Sequence, residues 1–326
     1  MPGFLKLLCA GAIALGGLVP GFASAQVAGA PYPAKPIRII VPFPAGGSAD
    51  VLPRIIAERL GPKWGQPIVV ENRPGAAGNI GAELVFKSEP DGYTLLSTPP
   101  PPLVMNQHLY PKLAFDAAAF VPVSVIAAVP SVLLVHPKVA ANSVRELVAL
   151  AREAPDRLNY ASQGNGTTSH LTTELFKSLS GGVRIVHIPY KGTAPALADL
   201  LAGQVDMMFD NLGVSLAHVK SGKLKALAVG SEKRIASLPE VPAMNEFLPG
   251  FLSMAWFGVV APPRTPPEIA ARISAGIAET LPEVARRLAD LSAEPMGFTP
   301  AQMAALMKED SERWGRVVRA IGLKLD

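Results

Sequence analysis

The chain has 326 residues, with 30 basic and 26 acidic side chains, a net charge of +4 and a single cysteine. One cysteine leaves no disulfide framework, so the core alone must hold the fold. The basic residues are scattered, with no cluster of five and no aromatic interleaving, which argues against nucleic acid or a membrane surface as partner.

The first 25 residues read as a secretory signal: Lys6, an apolar stretch from Leu7 to Val19, then Ala23-Ser24-Ala25 as a small-residue cleavage site. Cys9 precedes most of the apolar run, so it is a poor lipoprotein acceptor and is expected to leave with the signal. No later apolar run reaches the roughly 18 residues that cross a bilayer. A chain of this size is expected to form two domains and to bury about three quarters of its unfolded surface.

From residue 37 onward, short apolar runs alternate with helical patterns. "IRIIVPF" reads as a buried strand and "SADVLPRIIAERLGPKWG" as a helix with Val51, Leu52, Ile55, Ile56 and Leu60 on one face. Ser48 is the expected cap, and Pro53 predicts a kink or a delayed start, because it lacks the N–H an early turn needs. "PIVVENRP" is a strand and turn, "GAAGNIGAELVFKSEPDG" a Gly-rich approach to a second helix, and "YTLLST" a third strand running into Pro99–Pro102. A helix near "LVMNQHLY" precedes the long apolar run "FVPVSVIAAVPSVLLVHP".

"NSVRELVALAREAP" then gives a helix that Asn142 or Ser143 can cap. After it come the strand "LNYAS", the loop "QGNGTTSH", a helix, the strand "VRIVHIPY", the short loop "KGT" and another helix. The strand "VDMMFDN", a helix to Gly222 and the strand "LKALAVG" complete this second unit. The apolar runs 121–135 and 253–261 bracket it and are expected to cross between two sheets, with two amphipathic C-terminal helices returning to the first. Such alternation predicts an α/β fold of mostly parallel sheets covered by helices on both faces.

Reactive chemistry is scarce. His108, His136, His170, His187 and His218 show no metal-ligand spacing, and no HExxH, GxSxG or P-loop pattern occurs. "GAAGNIG" echoes a dinucleotide fingerprint with the wrong spacing and context, so no cofactor, metal or catalytic residue is expected.

In open α/β sheets ligands gather beyond the carboxyl ends of the strands. The segments there are Phe43-Pro44-Ala45-Gly46-Gly47-Ser48-Ala49-Asp50, Ser97-Thr98, Gln163 through Asn165, Thr167, Thr168 and His170, then Tyr190-Lys191-Gly192-Thr193, and Asp210-Asn211. They are small, polar and Gly-rich, and Lys191 is their one cation. Two of them, 44–50 and 163–170, end at helix N-termini, where free N–H groups and hydroxyls of Ser48, Thr167 and Thr168 suit a carboxylate. Asp50 and Asp210 run against a pure anion site and could instead orient N–H groups or accept from a ligand ammonium or hydroxyl.

"YPAKPIRIIVPFPAGGSADV", "VVENRPGAAGNIGAE", "PDGYTLL", "LNYASQGNGTTSHL", "VHIPYKGTAPALADLLAGQVDMMFDN" and "GKLKALAVGSEKR" resemble the tripartite tricarboxylate transporter receptor family, also known as the Bordetella uptake gene product family. The resemblance spans Tyr32 to Asp326. It implies a two-lobed periplasmic-binding-protein-like fold (type II), with 32–130 plus 254–326 as one lobe and 131–253 as the other. It implies a monomeric periplasmic receptor that closes on a small organic carboxylate and delivers it to a permease of one large and one small subunit. Carried over by motif, the ligand contacts are Phe43, Ala45, Gly46, Gly47, Ser48 and Asp50, faced by Asn165, Thr167, Thr168 and His170. The Pro99–Pro102 run departs from the family and points to a less polar distal pocket, one that suits an aromatic carboxylate. The alternatives are a secreted enzyme acting on a carboxylated substrate and a ligand sensor feeding a two-component kinase.

Overall fold

The computed structural model describes residues 32–325; the expected signal, including Cys9, lies outside the described residues. The chain begins with β1 (Ile37–Val41), α1 (Ser48–Trp64), β2 (Ile68–Asn72), α2 (Asn79–Phe86), β3 (Thr94–Thr98) and the single turn α3 (Asn106–Leu109). The long β4 (Val121–Val135) leads to α4 (Val144–Glu153), β5 (Asn159–Ser162), α5 (Thr168–Leu179), β6 (Val186–Pro189) and α6 (Thr193–Leu201). Then follow β7 (Met207–Asn211), α7 (Leu212–Lys220), β8 (Lys225–Val229), β9 (Met254–Ala261), α8 (Pro267–Asp290), β10 (Glu294–Pro295) and α9 (Pro300–Ile321).

The strands run in the order β2-β1-β3-β9-β4-β7-β5-β6, with β8 and β10 also pairing β4. β4 belongs to two sheets: Val121–Pro130 pairs β9, and Ser131–Val135 pairs β7 and β8. Parallel pairing joins β1 to β2 and β3, and β5 to β6 and β7. The sheets are nonetheless mixed rather than mostly parallel, because β9 runs antiparallel to β3 and β4, and β4 antiparallel to β7 and β8. β9 pairs only within the first sheet, so β4 alone runs through both. The chain returns beside it through backbone bonds from Ser131 N–H to Ser253 O (3.2 Å), Ser253 N–H to Gly230 O (2.8 Å) and Gly230 N–H to Ser131 O (2.7 Å).

Each sheet is covered on both faces, which is why its central strands are apolar throughout. On one side of the first sheet α1 and α8 supply Leu52, Ile56, Ile273 and Val284; on the other α9 supplies Met303, Trp314 and Val318. Helix α1 starts at Ser48 with Gly47 as its cap, and it runs through Pro53 without a delayed start. Proline costs that turn one hydrogen bond, and burial of Leu52, Ile55, Ile56 and Leu60 against the sheet offsets the loss. Helix α4 is capped by Ser143, whose Oγ accepts from Glu146 N–H (3.2 Å) while Glu146 accepts from Asn142 N–H (2.8 Å).

Candidate functional site

Two helix N-termini, one from each sheet, face the same small cavity. Gly47 caps α1, and its carbonyl accepts from the N–H groups of Asp50 (2.9 Å) and Val51 (3.0 Å). Among the described residues nothing accepts from the N–H groups of Gly47, Ser48 or Ala49. Opposite, Thr167 caps α5, and the N–H groups of Thr168, Ser169 and His170 likewise have no acceptor among the described residues. The buried hydroxyls of Thr168 and Ser169 are also unpartnered. Helix starts left open in this way carry roughly half a positive charge each.

The cavity between them is about 30 Å³, and Gly47, Ser48, Thr167, Thr168, Gln163 and Thr193 line its polar side. Pro99, Pro101, Ala255 and Phe257 line its apolar side. The two walls are in contact around it. A Cβ on Gly47 would sit 3.1 Å from Thr193 Oγ1, and one on Gly192 would sit 2.9 Å from Pro44. A wider chamber of about 730 Å³ adjoins the cavity, sharing Phe43, Gln163 and Thr167 as walls. Its rim carries Lys191 from one half and Lys324 from the other, and neither has a carboxylate partner among the described residues.

Of the residues singled out in the sequence, Phe43, Gly47, Ser48, Gln163, Thr167 and Thr168 line the inner cavity. Asn165, Tyr190 and Lys191 line the outer chamber. Ala45, Gly46, Asp50, Thr98, His170 and Asp210 line neither. Ala45 and Gly46 are exposed, and the other four are buried in the scaffold. Asp50 accepts from Gly46 N–H (3.1 Å), Arg54 Nε (2.9 Å) and Asn72 Nδ2 (2.9 Å), so it shapes the 42–48 turn. Burial alone would raise its carboxyl, but those donors hold it below the usual range. Thr98 is fully buried, and its hydroxyl donates to Pro99 O (3.0 Å).

His170 accepts from Gly166 N–H through Nδ1 (3.1 Å) and stacks on His187 with ring centroids 4.2 Å apart, and His187 stacks in turn on Tyr160 at 4.6 Å. Desolvation brings both imidazoles down to about 4, His187 being lowered further by its neighbour His170. His187 Nε2 and Ser162 Oγ lie 2.6 Å apart, a nucleophile–base distance that the sequence does not signal. Ser162 is fully buried, accepts from Gly164 N–H (3.1 Å) and lines neither cavity, so the pair braces the loop. Asp210 is buried at the end of β7 and accepts from Gln163 Nε2 (2.8 Å); desolvation pushes its carboxyl up to about 7.

Thr193 and Asn211, which the end-of-strand rule names but the ligand contacts carried over by motif do not include, line the inner cavity, as do Ala255 and Phe257, which sequence reasoning misses. Ala255 and Phe257 alternate along β9 and become visible only once β9 is placed between β3 and β4.

A sequence model of the "Tripartite tricarboxylate transporter family receptor" matches residues 52–323. Protein BugT of Bordetella pertussis is 41% identical over 307 residues, covering 93% of this chain and 94% of its own. Among solved structures, R. palustris Rpa4515 with adipate superposes with a TM-score of 0.86 at 38% identity, covering 90% of this chain and 99% of that one. MatC (Rpa3494) from Rhodopseudomonas palustris with bound malate gives 0.83 at 34% identity, covering 88% and 100%.

Proposed function

The chain belongs to the tripartite tricarboxylate transporter receptor family, and on that premise we propose that it captures a small organic carboxylate between its two halves. One carboxylate group is received by the open N-termini of α1 and α5. Residues 32–130 with 254–326 act as one lobe and 131–253 as the other, closing by a hinge motion that ligand contacts to both sides favour. The single observation that carries this reading is that unpartnered amides from two sheets line one cavity. The adipate and malate of the two Rhodopseudomonas structures are carboxylates of the same class. Residues 1–25 direct the protein to the periplasm, where as a monomer it delivers its ligand to a permease of one large and one small subunit.

A thermal-shift screen of the mature protein against mono-, di-, tri- and aromatic carboxylates tests the ligand class. A ligand at 100 times its Kd adds about 2.7 kcal/mol of stability, a shift of several degrees at this size. Shifts by amines, sugars or nucleotides with none by any carboxylate would contradict it.

A further inference from the structure

The polarity of one side chain in the inner cavity is fixed from behind. Gln163 Nε2 donates to Asp210 Oδ1 (2.8 Å) and to Thr193 Oγ1 (3.1 Å), which uses both protons of its amide. The carbonyl oxygen Oε1 is therefore the free end of the side chain, and among the described residues nothing donates to it. The reverse orientation would bring Oε1 against Asp210 Oδ1, two acceptors at hydrogen-bond distance. Above about pH 7, where Asp210 is ionised, the carboxylate offers no proton to relieve that clash.

The loop cannot evade the constraint. Gly192 N–H donates to the backbone carbonyl of Gln163 (3.2 Å), tying this corner to the one that carries Thr193. Asp210 is 2% exposed and in register with Val132 of β4, so it cannot swing away. Gln163 Oε1 thus faces a cavity rich in N–H and hydroxyl donors as an acceptor of fixed orientation. Gln163 and both helix ends line the same inner cavity, so a ligand group beside Gln163 lies close to a carboxylate held on the helix ends.

We propose that Asp210 and Thr193 orient the Gln163 amide so that its carbonyl selects carboxylates bearing a hydrogen-bond donor, a hydroxyl or an ammonium, on the carbon next to the bound carboxyl group. The inference rests on the receptor reading above and names the substrate class within it. Gln163 touches the ligand, and Asp210 is a positioning residue that acts through Gln163.

The test is isothermal titration at pH 8, where Asp210 is ionised, using the matched sets propanoate, lactate and alanine, and succinate, malate and aspartate. In at least one set the donor-bearing acid should bind about two- to tenfold more tightly than the plain acid, the range of one net hydrogen bond. Preference for lactate or malate assigns a hydroxyl, and preference for alanine or aspartate assigns an ammonium. Gln163→Leu should bring the ratio close to one. Asp210→Asn should also shrink it, because asparagine can accept or donate and so satisfies either amide orientation. Equal binding of plain and donor-bearing acids, or a ratio unmoved in both variants, overturns the inference while leaving the receptor reading intact. Failure of all carboxylates to bind removes the receptor reading and the inference together.

Discussion

The amide of Gly166 donates to Nδ1 of His170, 3.1 Å away, so the loop that opens α5 is latched by a neutral imidazole. Protonating Nδ1 removes the acceptor. With both stacked imidazoles brought down to about 4, the unfolded chain binds more protons than the folded one between the ordinary histidine value and 4. Their contribution is therefore fully present above about pH 6.5 and is lost as pH falls toward 4. His170→Phe keeps the stack but orphans the buried Gly166 N–H, which costs about 1–3 kcal/mol. Denaturant unfolding from pH 8 to 4 should show that loss at neutral pH and a shallower acid decline than in the wild type.

Asp210 acts in the opposite sense. Its folded value is raised to about 7, so the folded chain binds the extra proton, and this contribution is lost as pH rises from about 4 through 7. The two slopes oppose each other in the wild type. Asp210→Asn should raise stability at pH 8 by a few kcal/mol and change little at pH 4, leaving the histidine-driven acid decline exposed. Equal unfolding midpoints for variant and wild type at pH 8 would contradict the assignment.

Gly166 has φ +77°, and a Cβ there would lie 2.8 Å from Leu325 and 3.3 Å from Ala77, both on the opposite half. Gly166→Ala should cost about 1–2 kcal/mol in backbone strain. It should also weaken carboxylate binding, by wedging the mouth of the site. Unfolding and titration measure the two effects separately.

Gly47→Pro and Lys191→Ala rank the two sources of positive potential. The Gly47 N–H has no acceptor among the described residues, and its φ of −90° lies near the proline range, so the fold should survive. Losing an amide aimed at a charged ligand costs about 1.5–3 kcal/mol, so affinity should fall at least tenfold. Lys191 is exposed, and its removal should cost less than about fivefold, as surface charges do.

Much of this architecture is legible in the sequence because its signals are local. The alternation of apolar runs with helical faces gives the order of elements, and of the two caps the sequence offers for α4 it is Ser143 that bonds within three residues. The Gly-rich corner at 44–50 announces a helix start by composition alone, although its cap proves to be Gly47 rather than Ser48. What depends on tertiary placement is not legible. Phe257 reaches the cavity because β9 inserts between β3 and β4, a register no local pattern encodes. The scaffold role of His170 is hidden for the same reason, whereas the two acidic residues, out of place in an anion site, already raise the alternative that Asp50 and Asp210 orient N–H groups, which their bonds to Gly46 N–H and Gln163 Nε2 bear out.

The most direct measurement is a ¹⁵N–¹H amide titration of the mature protein with a carboxylate that passes the thermal screen. Carboxylate capture by the two helix starts predicts that the amide protons of Ser48 and Ala49 on α1 move downfield together with those of Thr168 and Ser169 on α5, along one saturation curve. Large shifts confined to the neighbourhood of Lys191 and Lys324, with those four amides unmoved at saturation, would contradict it.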